Sequence, residues 1–260
     1  MKNNLNEQTI TNFEKLVQLV KILRSEDGCD WDKIQTSDSL IPYFIEEVYE
    51  LVDSIDNKDH KNTKEELGDI MLHLVFQAQL SNEKGSYTIN DVLENINTKL
   101  VDRHPHVFNK ISQPTTSNIN WESQKYLEKE RKSRLDGVPS ILPSIIFSQR
   151  IQEKASFAGF DWENIEDVWS KIEEEINELK IAQKKKNLDN IHEEIGDLLF
   201  TVINLSRHLG ISAENALRKS NQKFIRRFQL LECEISDLNK TIDECSSEYL
   251  NELWDKVKNN

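Results

Sequence analysis

Carboxylates recur in this chain at spacings that bring them side by side. One set reads Glu46-Glu47-Val48-Tyr49-Glu50 followed by Glu66-Leu67-Gly68-Asp69. The same pattern returns as Glu174-Glu175-Ile176-Asn177-Glu178 and Glu194-Ile195-Gly196-Asp197, each residue 128 positions later. The gap between the two acidic motifs is 15 residues in both copies. On a helix, positions three and four apart share a face. Glu175 therefore stands beside Glu178, and Glu194 beside Asp197. The apolar stripe of the first helix is Ile172, Ile176 and Leu179. Relative to Ile172, Glu175 falls at about −60°, Lys171 at about −100°, Glu178 at about −120° and Glu174 at about −160°. These four groups form one flank that begins at the edge of the buried stripe and faces a cleft between helices.

Two such helices brought together converge four carboxylates on a small volume, where they repel unless a cation sits among them. Oxygen-only donors suit Mg²⁺ or Mn²⁺, with Mg²⁺ the better match, whereas zinc and iron sites usually recruit histidine or cysteine. A di-iron bundle needs Glu-x-x-His on two helices. None of the histidines (60, 73, 104, 106, 192 and 208) lies three residues after a glutamate. A single acidic pair is most simply a solvated helix face. Two quartets with identical internal spacing point instead to a shared function. Gly68 and Gly196, placed mid-helix, have two readings: tight helix–helix packing, or close approach of backbone to metal or substrate.

The elements that must carry these groups read as helical almost throughout. Phe13, Leu16, Val17, Val20 and Leu23 recur at helical steps, as do Ile41, Phe44, Ile45, Val48, Leu51, Val52 and Ile55. Pro42 is tolerated at a helix start. The segment from Ile70 to Leu80 is apolar enough to be buried between helices. Seven glycines and five prolines in 260 residues are too few for a turn-rich β fold. Beyond the acidic motifs, Asn97-x-Lys99-x-x-x-Arg103 matches Asn221-x-Lys223-x-x-x-Arg227, and Gly28-Cys29-Asp30-Trp31 matches Gly159-Phe160-Asp161-Trp162. The chain thus reads as all-α, a tandem duplication with an N-terminal domain at 1–110 and a C-terminal domain at 144–260. A linker at 111–143 carries a short charged helix around Lys125 to Arg134.

A net charge of −13 makes nucleic acid an unsuitable partner. Cys29, Cys233 and Cys245 are too sparse for a disulfide framework. The first thirty residues have no apolar signal region and no stretch is long enough to span a membrane, so the expected location is cytoplasmic. Neither glycine-rich phosphate cradle, G-x-G-x-x-G or G-K-[ST], occurs.

Glu-Glu-x-x-Glu followed by Glu-x-x-Asp resembles the signature of the MazG-type nucleoside triphosphate pyrophosphohydrolases, of the all-α NTP pyrophosphatase group. The resemblance extends over most of the chain, including Gly28-Cys29-Asp30-Trp31-Asp32, Arg103-His104-Pro105-His106-Val107-Phe108 and Gly159-Phe160-Asp161-Trp162. It implies a helical-bundle homodimer that hydrolyses nucleoside triphosphates to nucleoside monophosphate and pyrophosphate with Mg²⁺. Carried over by position, it implies metal ligands Glu175, Glu178, Glu194 and Asp197, matched in the first copy by Glu47, Glu50, Glu66 and Asp69. It further implies nucleotide contacts at Lys171, Glu174, Lys223, Arg227 and Trp254. Tyr43 stands where Lys171 would fall in the first copy, so the C-terminal copy is expected to be the active one.

Lys223 and Arg227, four apart, suit a phosphate tail. Glu174 and Glu175 are the expected catalytic carboxylates, Glu174 positioning or deprotonating the attacking water. Trp254 reads equally as a stacking platform and as core, whereas Trp31 and Trp162 read as packing anchors. A second reading of the whole chain is a nucleotide- or metal-sensing helical adaptor without turnover. It differs from the enzyme in binding Mg²⁺-nucleotide without releasing pyrophosphate.

Overall fold

The computed structural model describes residues 7–108 and 132–258. They form two compact units, one on each side of the undescribed segment. The charged helix expected around Lys125 to Arg134 lies mostly outside the described residues. Among these there is no strand, and no helix is long and apolar enough to cross a membrane.

Unit 1 contains α1 (Glu7–Leu23), α2 (Asp30–Ile34), α3 (Ile41–Asp56), α4 (His60–Glu83), α5 (Ile89–Arg103) and α6 (Pro105–Phe108). The apolar stripe of α1 packs on α4, where Val20, Leu40, Val75, Phe76 and Leu80 are buried with Phe13, Leu16 and Val17 against them. Pro42 sits in the first turn of α3, where no intrahelical donor is required. The α3–α4 connection is a short reversal. Lys58 adopts φ 56°, and the Asp59 carboxylate caps α4 by accepting from the Lys61 and Asn62 amides at 3.1 Å. Such a tight connection lays α3 and α4 antiparallel.

Unit 2 contains α7 (Ser144–Phe157), α8 (Ile165–Lys185), α9 (Leu188–His208), α10 (Ala213–Ser236), a 3₁₀ turn at Ile242–Glu244 and α11 (Ser247–Lys258). Here too the central pair is an antiparallel hairpin. Lys186 takes φ 53°, and the Asn187 side chain accepts from the Asn190 amide at the start of α9. Val168, Ile172 and Leu205 form the buried seam between α8 and α9, with Ile176 and Leu198 against it. Leu231, Ile235, Leu253 and Val257 make a second core that closes α10 on α11.

Antiparallel pairing explains why the acidic motifs meet. Two residues equidistant from the turn of such a hairpin lie at the same height. Glu47 and Asp69 are each eleven residues from Lys58, and Glu50 and Glu66 each eight. Glu175 and Asp197, and Glu178 and Glu194, repeat those separations about Lys186. The left-handed lysines are themselves 128 residues apart, so the reversal is duplicated along with the carboxylates.

Candidate active site

In unit 2, carboxylate oxygens of Glu175, Glu194 and Asp197 lie within 4.8 Å of one another. Glu175 is 3% exposed, Glu194 half-buried and Asp197 exposed, so the cluster runs from the α8–α9 seam to the surface. Partial desolvation, with the negative charges of Glu178, Glu175, Asp197 and Glu193, pushes the Glu194 carboxyl above its ordinary range. Glu178 is exposed and stands outside the trio, acting on Glu194 through its charge. Lys171 Nζ lies 2.8 Å from Glu174 Oε1 and 2.8 Å from Glu175 Oε1, and these two bonds hold its ammonium well above the usual lysine range. A permanent cation thus already compensates the most buried carboxylate. Three oxygen donors gathered this closely match the demands of a hard divalent cation.

Lys171, Glu175 and Asp197 form one end of a cleft of about 720 Å³. From Asp197 a stripe of α9 runs along its floor through Phe200, Thr201 and Asn204 to Arg207, almost three turns away. Phe160 and Trp162, on the loop between α7 and α8, line it with exposures of 83% and 42%. Trp162 is therefore a cleft residue rather than the buried packing anchor expected of it. Gln152 of α7 also lines the cleft; it is 5% exposed and its amide donates to the Phe200 carbonyl at 2.8 Å. Asp161 receives both Nη atoms of Arg207, Nη1 at 2.9 Å, and lies 3.1 Å from His208 Nε2. Burial opposes ionisation of Asp161, but the Arg207 hydrogen bond and charge outweigh it and hold the carboxyl below its usual range.

Lys223, Arg227 and Trp254 belong to the α10–α11 pair and are not among the described residues that line this cleft. Trp254 packs against Phe224 with ring centroids 5.3 Å apart, and Arg227 donates to the Lys258 carbonyl at 3.1 Å. Lys223 is exposed. The three share one hairpin.

Unit 1 repeats the trio but not its surroundings. Oxygens of Glu47, Glu66 and Asp69 again lie within 4.8 Å of one another, all three residues half-buried. Desolvation and the Asp69 charge raise Glu47; desolvation and the Glu50 charge raise Glu66. Glu50 is exposed, and with Glu46 and Glu66 it lines a separate acidic cleft of about 540 Å³. Tyr43, at the position of Lys171, offers no ammonium. Trp31 lies edge-on against it with centroids 5.9 Å apart. A methyl group added at Gly68 or Gly196 would meet nothing within 4 Å. Within the chain, therefore, no neighbouring element packs tightly against either glycine, and open space lies beside each.

Asp161, Arg207 and Gln152 were not singled out from sequence as site residues. Asp161 was visible as part of the repeated Gly-x-Asp-Trp, but its partner lies 46 residues away, beyond the reach of helical periodicity.

A duplicated all-α chain with an acidic trio and a lysine at one end of an aromatic cleft has the equipment of a helical phosphate-handling protein. A MazG nucleotide pyrophosphohydrolase domain matches residues 35–108 and 163–230. The chain is 46% identical over 248 residues to the nucleoside triphosphate pyrophosphohydrolase/pyrophosphatase MazG of Thermotoga maritima, covering 95% of each. It is 38% identical over 257 residues to the nucleoside triphosphate pyrophosphohydrolase of Escherichia coli K12, covering 96% of this chain and 98% of that one. It also matches 51% of the uncharacterized protein YabN of Bacillus subtilis, at 38% identity over 251 residues. The chain belongs to the MazG nucleotide pyrophosphohydrolase family.

Proposed function

We propose that this protein hydrolyses nucleoside triphosphates to nucleoside monophosphate and pyrophosphate in the C-terminal unit, with Mg²⁺ as cofactor. The observation that carries this reading is the trio Glu175, Glu194 and Asp197 beside Lys171 at one end of a cleft whose other end is aromatic. Glu175, Glu194 and Asp197 would hold the cation, with Glu178 joining by rotation about its side chain. Mn²⁺ would suit the same oxygens. A bound Mg²⁺ would neutralise approaching polyphosphate charge and supply Lewis acidity at the scissile anhydride.

The chain's own groups do the rest. Lys171 can swing from Glu174 and Glu175 to a phosphate oxygen, releasing both carboxylates as it does so. Glu174, at the outer edge of the cluster, is then free to orient or deprotonate the attacking water, with Glu175 as its catalytic neighbour. The aromatic end, at Phe160 and Trp162, takes the nucleoside. Lys223, Arg227 and Trp254 are further nucleotide contacts carried together on one hairpin. In unit 1 the trio lacks the lysine, which favours cation binding by Glu47, Glu50, Glu66 and Asp69 without turnover.

We take the domains as 1–110 and 144–260 joined by 111–143, the working form as a cytoplasmic homodimer, and the partners as nucleotides rather than nucleic acid or membrane. The test is release of pyrophosphate from a panel of nucleoside triphosphates with Mg²⁺, with Glu175→Gln as control. Binding of Mg²⁺-nucleotide without pyrophosphate release would favour the adaptor reading.

A further inference from the structure

We propose that Arg207 is a positioning residue for the nucleoside end of the cleft, acting through Asp161 on the loop that carries Phe160 and Trp162. The inference rests on the reading of this cleft as the nucleotide site. The loop leaves α7 through Gly159, whose φ of 85° a side chain would strain, and turns back toward α9. There Asp161 is gripped by both Nη atoms of Arg207, with His208 3.1 Å away and the Trp162 amide donating at 2.9 Å. A two-pronged guanidinium–carboxylate pair fixes direction as well as distance. What it fixes is two rings that remain open to solvent, Phe160 at 83% and Trp162 at 42% exposure.

Two further observations point to a ligand rather than to folding alone. Gln152 Oε1 and Arg207 Nε are buried beside this cleft without a hydrogen-bond partner. The Gln152 amide orientation is set, because its nitrogen donates to the Phe200 carbonyl, so the free atom is an acceptor. Buried polar atoms left unpaired call for an explanation, and a polar occupant at this end of the cleft supplies one. The duplication supplies the contrast. Gln79 stands at the position of Arg207, Asp30 pairs with Lys33 of its own short helix, and Trp31 rests on Tyr43. Unit 1 is tied differently: Arg24, at the end of α1, grips both oxygens of Glu83 on α4 and donates to the Asp32 and Gln35 carbonyls, so only unit 2 anchors the aspartate that sits between its two aromatic rings.

The test compares Arg207→Gln, Asp161→Asn and Phe160→Ala with the wild-type full-length chain. Two readouts are used: KM and kcat for a nucleoside triphosphate, and competitive inhibition by inorganic triphosphate, which has no nucleoside. Base stacking on an aromatic ring corresponds to roughly a 5- to 150-fold change in binding. All three variants are expected to raise KM within that range, with little change in kcat and unchanged inhibition by inorganic triphosphate. Phe160 is so exposed that its truncation leaves folding intact, which keeps the test readable if Arg207→Gln unfolds. The inference is overturned if Phe160→Ala keeps the wild-type KM, or if Arg207→Gln weakens inorganic triphosphate as much as nucleotide. If wild type releases no pyrophosphate at all, the hydrolase reading fails; calorimetric binding of a non-hydrolysable nucleotide to the same variants then decides this one separately.

Discussion

Replacing Glu175 by glutamine deletes one charge of the unit 2 trio while keeping its shape and an acceptor oxygen. Removing one partner of a buried ion pair costs about 3–5 kcal/mol when it strands the other charge. Here Lys171 keeps Glu174 at 2.8 Å, and the glutamine oxygen can still accept, so the folding cost should shrink to about 1–2 kcal/mol. The effect on metal is larger. A cation present at a hundred times its Kd stabilises the folded chain by about 2.7 kcal/mol, a rise of roughly 5–15 °C for a unit of this size. Because unit 1 has its own trio, Glu175→Gln is paired with Glu47→Gln. Scanning calorimetry with EDTA and with excess Mg²⁺ should show a wild-type shift of that order, a reduced shift in each single variant, and none in the double. A double variant that still shifts fully with Mg²⁺, or a wild type that does not shift, would refute the claim that these carboxylates share a cation.

The two single variants should differ in activity. Glu175→Gln is expected to lose at least about a hundredfold in turnover, about 2.7 kcal/mol or more of barrier, while Glu47→Gln stays near wild type; equal losses in a pyrophosphate-release assay would reverse the assignment of the active unit. Glu47, Glu66 and Glu194 all have carboxyls raised in the folded chain. A raised carboxyl binds more protons folded than unfolded, so its stabilising contribution is present in acid and is lost as pH rises through the raised value. The melting temperature without metal should therefore lose ground to the Mg²⁺-bound form as pH rises from the ordinary carboxylate range, and a difference independent of pH would contradict the cluster electrostatics. Gly196→Ala should raise stability by about 1 kcal/mol in denaturant titration, because the added methyl meets open space within a helix; a decrease would reveal a contact not seen here.

The helices were legible because their apolar residues keep a helical period, and the duplication was legible because offsets survive intact. The site was legible in part. Rotation of 100° per residue sets Glu175 about 60° from Ile172 and Glu178 about twice as far. That arithmetic already held the reason only Glu175 turns inward beside Glu194 and Asp197. What the sequence could not display was the pivot. A lysine in the left-handed region has no compositional mark, unlike glycine, so Lys58 and Lys186 emerged only from backbone angles. The Arg207–Asp161 pair escaped for a different reason. It joins a loop to the far end of a helix, and nothing in local periodicity links residues so distant in sequence. Trp31 and Trp162 were both misjudged as packing anchors because large aromatics are usually buried, whereas they are 49% and 42% exposed.

The two units show which features of the site follow from the fold and which do not. A hairpin reversed at a left-handed residue puts carboxylates at matched distances opposite one another, so any copy that keeps the turn and the four acidic positions keeps the trio. Both units do. Lys171, Gln152 and Arg207 are not implied by that symmetry, since each sits outside the acidic motifs, and their counterparts by position include Tyr43 and Gln79. Without the lysine, the trio of unit 1 has no ammonium beside it, and desolvation with the neighbouring carboxylate charges raises Glu47 and Glu66 above their ordinary range. In unit 2, Lys171 bonds both Glu174 and Glu175, and under the proposed function it would turn from them to a substrate phosphate and release both. Duplication preserved the carboxylate trio in both halves, whereas Lys171, Gln152 and Arg207, which the proposed function places around the substrate, are found together in unit 2.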